Sequence, residues 1–218
     1  MKKSLSEIIY RQRYFLISFL IVLITGFALM LVFSKTELFL WINRKYNPFF
    51  DQFFKLNTLL GDGWMTIMVV CGMLFFKFRY AVLTAFAYAY SSMAVQILKI
   101  LFNAPRPIKF FEGIAPIRTI DGYAMHEWNS FPSGHTASAF TLAVVLSYIL
   151  PYKNSHLILV PLAVLTAFSR VYLAQHFMED IIAGSLIAVI MTLQLIYWLE
   201  HTEWYHSKKL DGRLFEKV

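Results

Sequence analysis

The chain has 218 residues, of which 58% are hydrophobic and only 15% are charged. Soluble domains average roughly 45–50% apolar and about 25% charged residues, so this composition excludes intrinsic disorder and a soluble monomer, which would expose large apolar patches. The net charge of +7 comes without a basic run, so we expect contacts with anionic membrane lipids and none with nucleic acid; the single cysteine excludes a disulfide framework.

Apolar stretches that suit a membrane helix recur along the chain, since a hydrocarbon core about 30 Å thick takes about 20 residues of helix. The predicted spans are, in chain order, Tyr14–Ser34, Gly63–Phe76, Tyr80–Leu98, His135–Tyr152, Asn154–Ser169 and Ile181–Leu199. The second and the fifth are the shortest. The sequence therefore predicts an all-α, polytopic membrane protein with six transmembrane helices, forming a single domain over residues 1–218.

The segment after the first span has a different character. Thr36–Leu60 mixes aromatic and charged residues, which is typical of a helix that lies at the membrane interface. The first span itself is too long for a signal peptide and is followed by no cleavage site of small residues. We therefore predict that the first span is retained and that an interfacial helix follows it.

The distribution of lysine and arginine predicts the orientation. These residues are more frequent in the first 13 residues, in the loops after the second and fourth spans, and in the tail after the last span than in the opposite loops. Because basic loops stay in the cytoplasm, we expect a protein of the cell (inner) membrane with both termini cytoplasmic.

Polar residues that are costly in a membrane gather at particular ends of the last four spans. They are Lys99, Arg106, Ser133, Gly134, His135, Arg170, His176 and Asp180. In spans that alternate in direction, the end of the third, the start of the fourth, the end of the fifth and the start of the sixth lie on one face of the membrane. Ionisable groups at that depth are functional candidates. With the termini inside, this face is the outer one.

The spacing of several of these residues suits an anion. Lys99 and Arg106 are seven apart, so a helix places them on one face, and Pro107 ends the helix there. Ser133 is a plausible N-cap for the fourth span, and Gly134 leaves the backbone amides of its first turn accessible. Together with Arg170, these groups predict a site for a multiply charged oxyanion such as phosphate.

Two histidines add reactive groups to this face. His176 and Asp180 are four residues apart, so the carboxylate meets the imidazole on a helical face and raises its basicity. With His135, they make a nucleophile and a proton donor. Arg170 and His176 are six apart and would point to different faces of one straight helix, so we expect the chain to break between them.

The combined pattern resembles a known family. Lys99-x6-Arg106-Pro107, Pro132-Ser133-Gly134-His135 and Ser169-Arg170-x5-His176-x3-Asp180 resemble the three-part signature of the type 2 phosphatidic acid phosphatases, which vanadium haloperoxidases and glucose-6-phosphatases share. The resemblance covers residues 99–180 and implies six membrane helices and a reaction that needs neither a metal nor another cofactor.

The resemblance also implies a role for each residue. His176 would attack phosphorus and become a phosphohistidine, oriented by Asp180, while His135 would protonate the leaving oxygen and then activate water. The groups expected to bind the phosphoryl oxygens are Lys99, Arg106, Arg170, Ser133 and the amide of Gly134. The residues alone, without the resemblance, leave hydrolysis and mere anion binding equally open.

The loop of 24 residues between the two halves of the signature favours a lipid substrate. Ile108–Phe131 carries apolar and aromatic residues, among them Tyr123, Met125 and Trp128, which would line an entrance for acyl or prenyl chains. Candidate substrates are undecaprenyl diphosphate, phosphatidylglycerophosphate, phosphatidate and lipid A phosphate. The alternative is a non-hydrolytic anion-binding or transport protein that retains the site; the membrane spans and the short chain exclude a haloperoxidase.

Overall fold

The computed structural model describes residues 3–150 and 152–215. Residues 1, 2, 151 and 216–218 of the predicted domain, including one position of the predicted fourth span, lie outside the described residues. The α-helices are α1 (Leu5–Arg11), α2 (Arg13–Val32), α3 (Lys35–Asn43), α4 (Pro48–Asn57), α5 (Gly63–Met73), α6 (Phe78–Phe102), α7 (Pro107–Phe110), α8 (Gly134–Ile149), α9 (His156–Tyr172) and α10 (Met178–Glu200). Short 3-10 turns and loops join them, and no strand occurs among the described residues, which confirms the all-α class.

Helix α8 is the centre of the bundle. It packs against α6, α9 and α10, while α5 lies against α6, and α2 lies against α9 and α10. Every residue from Thr136 to Val145 is buried, because α8 is covered by other helices on all sides. The central position of α8 brings its N-terminus to the ends of α6 and α9 and to the start of α10.

Within the described residues, three helical stretches are long and apolar enough to cross a membrane: Arg13–Val32, Phe78–Phe110 and Met178–Glu200. A fourth arises if Pro48–Gly61 and Gly63–Met73, which meet at a bend of 55°, count as one span. Helices α8 and α9 are apolar but have only 16 and 17 residues. Since α8 is enclosed by protein, the bilayer thickness does not set its length. The count of six spans stays a prediction.

The region predicted as one interfacial helix over 36–60 contains two. Ser34 caps α3 together with Glu37, and Asn47 caps α4, so each helix has its own start signal. The polar segment between them separates two short helices. Their position at a membrane interface stays a prediction.

The C-terminal end of α8 is held by the N-terminal segment of the chain. The Nε of Arg11 donates to the carbonyl oxygen of Tyr148 at 3.1 Å, and the Nε2 of Gln12 donates to that of Val144 at 3.0 Å. The hydroxyl of Tyr148 donates to Glu200, at the end of α10, at 2.6 Å. The bond from Arg11 satisfies a carbonyl group in the last turn, which a helix end leaves without an intrahelical partner.

Two glycines allow close contact with the N-terminus of α8. A Cβ atom on Gly184 would lie 2.5 Å from the carbonyl oxygen of Ser133, and one on Gly61 would lie 2.5 Å from that of His135. Both neighbours are backbone atoms, which cannot move away by a side-chain rotation. Only glycine therefore lets α10 and the turn at Gly61 approach the start of α8 this closely.

We expect Gly184→Ala to lower the free energy of unfolding by roughly 1–3 kcal/mol, because its Cβ forces α10 away from α8. Thermal denaturation of purified protein in detergent measures the effect. The matched control is Gly72→Ala in α5, where no described atom apart from the chain neighbours and the helix's own nearby backbone lies within 4 Å of the new Cβ. That variant should be as stable as the wild type or more stable by up to about 1 kcal/mol. Equal stability of the two variants would contradict the close-contact argument.

Candidate functional site

Lys99 lies in the last turn of α6, whereas Arg106 lies beyond the end of that helix, directly before α7, so the two do not share the helical face that their spacing predicts. The carbonyl groups of one loop hold both cations. Lys99 Nζ donates to the carbonyl oxygen of Asn129 at 2.5 Å, and Arg106 Nε donates to that of Trp128 at 2.9 Å. The backbone amide of Arg106 also donates to the carbonyl oxygen of Glu127, at 2.7 Å. The loop before α8 thus fixes both cations next to the start of that helix.

The start of α8 has the predicted cap. Ser133 Oγ accepts hydrogen bonds from the amide of Thr136 at 3.4 Å and from its hydroxyl at 2.9 Å, and Ser133 is fully buried. A Cβ on Gly134 would lie 3.9 Å from Cε of Lys99, so the lysine side chain passes over the first turn of α8. Lys99, Ser133 and Gly134 therefore lie close together, and the oxygen of Ser133 accepts its hydrogen bonds from the first turn of its own helix.

The predicted pairing of His176 with Asp180 is present. Nδ1 of His176 lies 3.4 Å from Oδ2 of Asp180, and both residues are 1% exposed. The same oxygen accepts hydrogen bonds from Ser130 Oγ at 2.6 Å and from the amide of Phe177 at 2.8 Å. An imidazole with its Nδ1 hydrogen directed at the carboxylate carries the lone pair on Nε2.

The chain breaks between Arg170 and His176, as their spacing predicts. Helix α9 ends at Tyr172, and Ala174 has a left-handed φ of 54°. The amides of Gln175 and His176 then both donate to the carbonyl oxygen of Arg170, at 2.9 and 3.1 Å. This turn brings the imidazole back toward the arginine at the end of α9.

Arg170 is buried, with 4% of its surface exposed. Its Nη1 donates to Thr58 Oγ1 and to the hydroxyl of Tyr123, at 2.8 Å in each case. Its Nε is buried and has no hydrogen-bond partner among the described residues. A buried guanidinium with an unused donor is well suited to an anion.

Gln175 connects the turn before His176 to a second arginine. Its Oε1 accepts from Arg106 Nη1 at 2.8 Å, and its Nε2 donates to the carbonyl oxygen of Ala124 at 3.2 Å. The side chain is 1% exposed, so its position is fixed. Arg106 is thus held by Gln175, the residue directly before His176.

His135 completes the set. The charges of Lys99, Arg106 and Arg170 all act on its imidazole, and the eight predicted residues lie at one end of the bundle. The residues 3–150 and 152–215 contain no group of three or more histidine, cysteine, aspartate or glutamate side chains arranged to hold a metal ion.

Electrostatics favour a neutral imidazole at position 176, in the loop between α9 and α10. Burial lowers the pKa of His176, and the hydrogen bond and charge of Asp180 raise it without overcoming the effect of burial. A neutral imidazole has the free electron pair that a nucleophile needs.

Sequence reasoning missed four polar residues at the site: Thr58, Ser130 and Gln175 altogether, and Tyr123 as a polar group, since it was considered only as part of an apolar entrance. Gln175 lies inside the third part of the signature, and Ser130 lies two residues before the second part. Their closeness to the signature was a usable signal. Thr58 and Tyr123 reach the site only through the tertiary path of the chain, and the spacing of residues in the sequence does not reveal that path.

Comparisons with known proteins agree with the geometry. Residues 80–204 match the model of a family described as the PAP2 superfamily. The lipid A 4'-phosphatase of Porphyromonas gingivalis is 27% identical over 182 residues, which are 78% of this chain and 75% of that protein. Phosphatidylglycerophosphatase B of Bacillus subtilis is 33% identical over 90 residues, which are 37% of this chain and 44% of that protein.

Two crystal structures are similar to the whole bundle. That of Aquifex aeolicus LpxE superposes with a TM-score of 0.67 and 31% identity, covering 74% of this chain and 93% of that one. That of a transmembrane PAP2-type phosphatidylglycerolphosphate phosphatase from Bacillus subtilis has a TM-score of 0.57 and 22% identity, covering 88% and 94%, and supports the fold alone. The family match spans more than half of the chain and encloses all three parts of the signature, so this chain belongs to the PAP2 superfamily.

Proposed function

We propose that this PAP2-type lipid phosphatase hydrolyses the phosphate or diphosphate monoester of a membrane lipid through a phosphohistidine on His176. The observation that carries the proposal is the buried pair of His176 and Asp180, 3.4 Å apart, beside three cations. A site that only bound an anion would need the cations but not an oriented, neutral imidazole.

In the first step, Nε2 of His176 forms a bond to phosphorus while the bond from phosphorus to the lipid oxygen breaks. His135 gives a proton to that oxygen, and Asp180 stabilises the charge that develops on the imidazole of His176. In the second step, His135 takes a proton from water, the water oxygen attacks phosphorus, and the P–N bond breaks to release inorganic phosphate. With a diphosphate, the leaving group is the lipid monophosphate.

Charge on the phosphoryl oxygens is neutralised by the protein itself. Lys99, Arg106 and Arg170 converge on the start of α8, where the amide of Gly134 adds a neutral donor. Three fixed cations supply the electrostatic stabilisation that a metal ion supplies in other phosphatases. This supports a reaction independent of metal ions.

Exposed apolar residues around the site support a lipid substrate. The last turn of α6 exposes Ile100 and Leu101, which are 77% and 72% exposed, and the loop exposes Ile114 and Trp128. Apolar groups of this size face lipid in a membrane protein. The relatives named for lipid A 4'-phosphate and for phosphatidylglycerophosphate make these two the first substrates to test, before undecaprenyl diphosphate and phosphatidate.

We expect His176→Ala to abolish phosphate release from lipid phosphates in detergent micelles, because the loss of a nucleophile costs several orders of magnitude in rate. Asp180→Asn should lower the rate severely. The control is His126→Ala, a change of an exposed histidine in the loop before α8, which should keep wild-type activity. If His176→Ala retains more than roughly a tenth of wild-type activity, the phosphohistidine mechanism is wrong; a wild type that binds phosphate but releases none is an anion-binding protein.

Metal independence has its own test. We expect full activity in excess EDTA, because the three cations already neutralise the phosphoryl oxygens, and strong inhibition by vanadate, which adopts the five-coordinate geometry of the transition state. Phosphate release is measured with and without EDTA on the same preparation. An absolute requirement for Mg²⁺ contradicts the proposal.

We further propose that the site faces outward and the termini face the cytoplasm. This is supported by the basic residues at the end of the bundle away from the site, which include Lys3, Arg11, Arg13, Lys77, Arg79, Lys208, Lys209 and Arg213.

Cysteine labelling tests the orientation. In a Cys71→Ser background, Thr119→Cys places an exposed thiol in the loop over the site, and Glu203→Cys places one after α10. An impermeant maleimide should label Thr119→Cys in intact cells or spheroplasts, and should label Glu203→Cys only after lysis. The reverse pattern would put the site in the cytoplasm.

A further inference from the structure

The hydroxyl of Tyr123 contacts one arginine of the site and lies near the support of the other. It accepts a hydrogen bond from Arg170 Nη1 at 2.8 Å. The carbonyl oxygen of the next residue, Ala124, accepts from Gln175, whose Oε1 accepts from Arg106 Nη1. Tyr123 belongs to the loop between α7 and α8, outside all three parts of the signature. The loop thus places a phenol beside the cations that would bind a phosphoryl group.

The position of this phenol is fixed by its neighbours. The next two residues, Ala124 and Met125, both accept from Nε2 of Gln175, at 3.2 and 3.0 Å. Earlier in the loop, Asn43 makes two hydrogen bonds of 2.8 Å with the backbone of Arg118. The loop is therefore attached on both sides of Tyr123, and its hydroxyl is held in place before a substrate arrives.

A tyrosine hydroxyl accepts hydrogen bonds and also donates one. The oxygen of Tyr123 accepts from Arg170, while its hydrogen is given to no residue in the described part of the chain. A donor that points into a cationic site and has no protein acceptor suits a phosphoryl oxygen. We propose that Tyr123 binds the phosphoryl group of the substrate directly, as a fourth side chain beside Lys99, Arg106 and Arg170. This inference rests on the proposed function.

A purely positioning role is the competing explanation, and Thr58 provides the comparison. Its hydroxyl accepts from the same Nη1 of Arg170 at the same distance of 2.8 Å. If Tyr123 served only to hold Arg170, removing either hydroxyl would have the same effect. If Tyr123 also contacts the phosphoryl group, removing its hydroxyl costs more.

The experiment compares Tyr123→Phe with Thr58→Val, each of which removes one hydroxyl and keeps the shape of the side chain. Vanadate binding is measured directly, as the rise in Tm that increasing vanadate causes, and as inhibition of phosphate release. We expect Tyr123→Phe to weaken vanadate binding about tenfold and clearly more than Thr58→Val. An effect of Tyr123→Phe that is absent, or no larger than that of Thr58→Val, overturns the inference.

A second variant tests the donated hydrogen through a change of pH. In Tyr123→3,5-difluorotyrosine the phenol ionises around neutral pH. A phenolate has no hydrogen to donate and repels an oxyanion that it contacts, so vanadate binding should weaken with rising pH more steeply than in the wild type. Binding that follows the wild-type pH dependence or strengthens overturns the inference. Because vanadate binding is measured by Tm, a wild type without phosphatase activity would refute the proposed function while leaving this test intact.

Discussion

An excess of buried positive charge is the constraint on which the site depends. Lys99 and Arg106 lie near the carboxylate of Asp180, and Arg170, which is only 4% exposed, lies near that of Asp62. Burying such groups costs free energy unless each finds hydrogen-bond acceptors or an opposite charge. Carbonyl and hydroxyl groups satisfy part of this need, and the Nε of Arg170 still has no partner in the described chain. The oxyanion of the proposed substrate would supply the missing acceptor and negative charge.

This constraint accounts for the loop between α7 and α8. Its carbonyl groups hold Lys99 and Arg106, and its Tyr123 holds Arg170, so the loop belongs to the site as much as the helices do. The glycines at positions 61 and 184 serve the same end, because they bring two further segments against the start of α8. The cations, the capped start of α8 and the pair of His176 and Asp180 are therefore held together by direct contacts.

Sequence alone predicted the features of the site that follow from the alternation of the helices and from residue spacing within a helix. The alternation of span directions brought His135, Arg170 and His176 to one face, and the spacing of four placed Asp180 beside His176. It could not follow the loop of 24 residues, whose path depends on tertiary contacts, so the role of Tyr123 was missed. The cap that it predicted at Ser133 is present, with the oxygen of Ser133 facing Thr136. Sequence reasoning predicted one helix over 36–60 where two are present, because it overlooked the second start signal, Asn47 before Pro48.

The attachment of the N-terminal segment to α8 has a practical consequence for handling the protein. Arg11 and Gln12 bond to carbonyl groups of the same helix whose other end carries Ser133 and His135. Truncations or rigid fusions that displace Arg11 and Gln12 would loosen the packing of α8. The reactive groups would then lose their fixed positions, although they lie at the other end of that helix. Affinity tags are better joined through a flexible linker that leaves α1 in place, and activity lost in a shortened form should first be attributed to α8 rather than to chemistry.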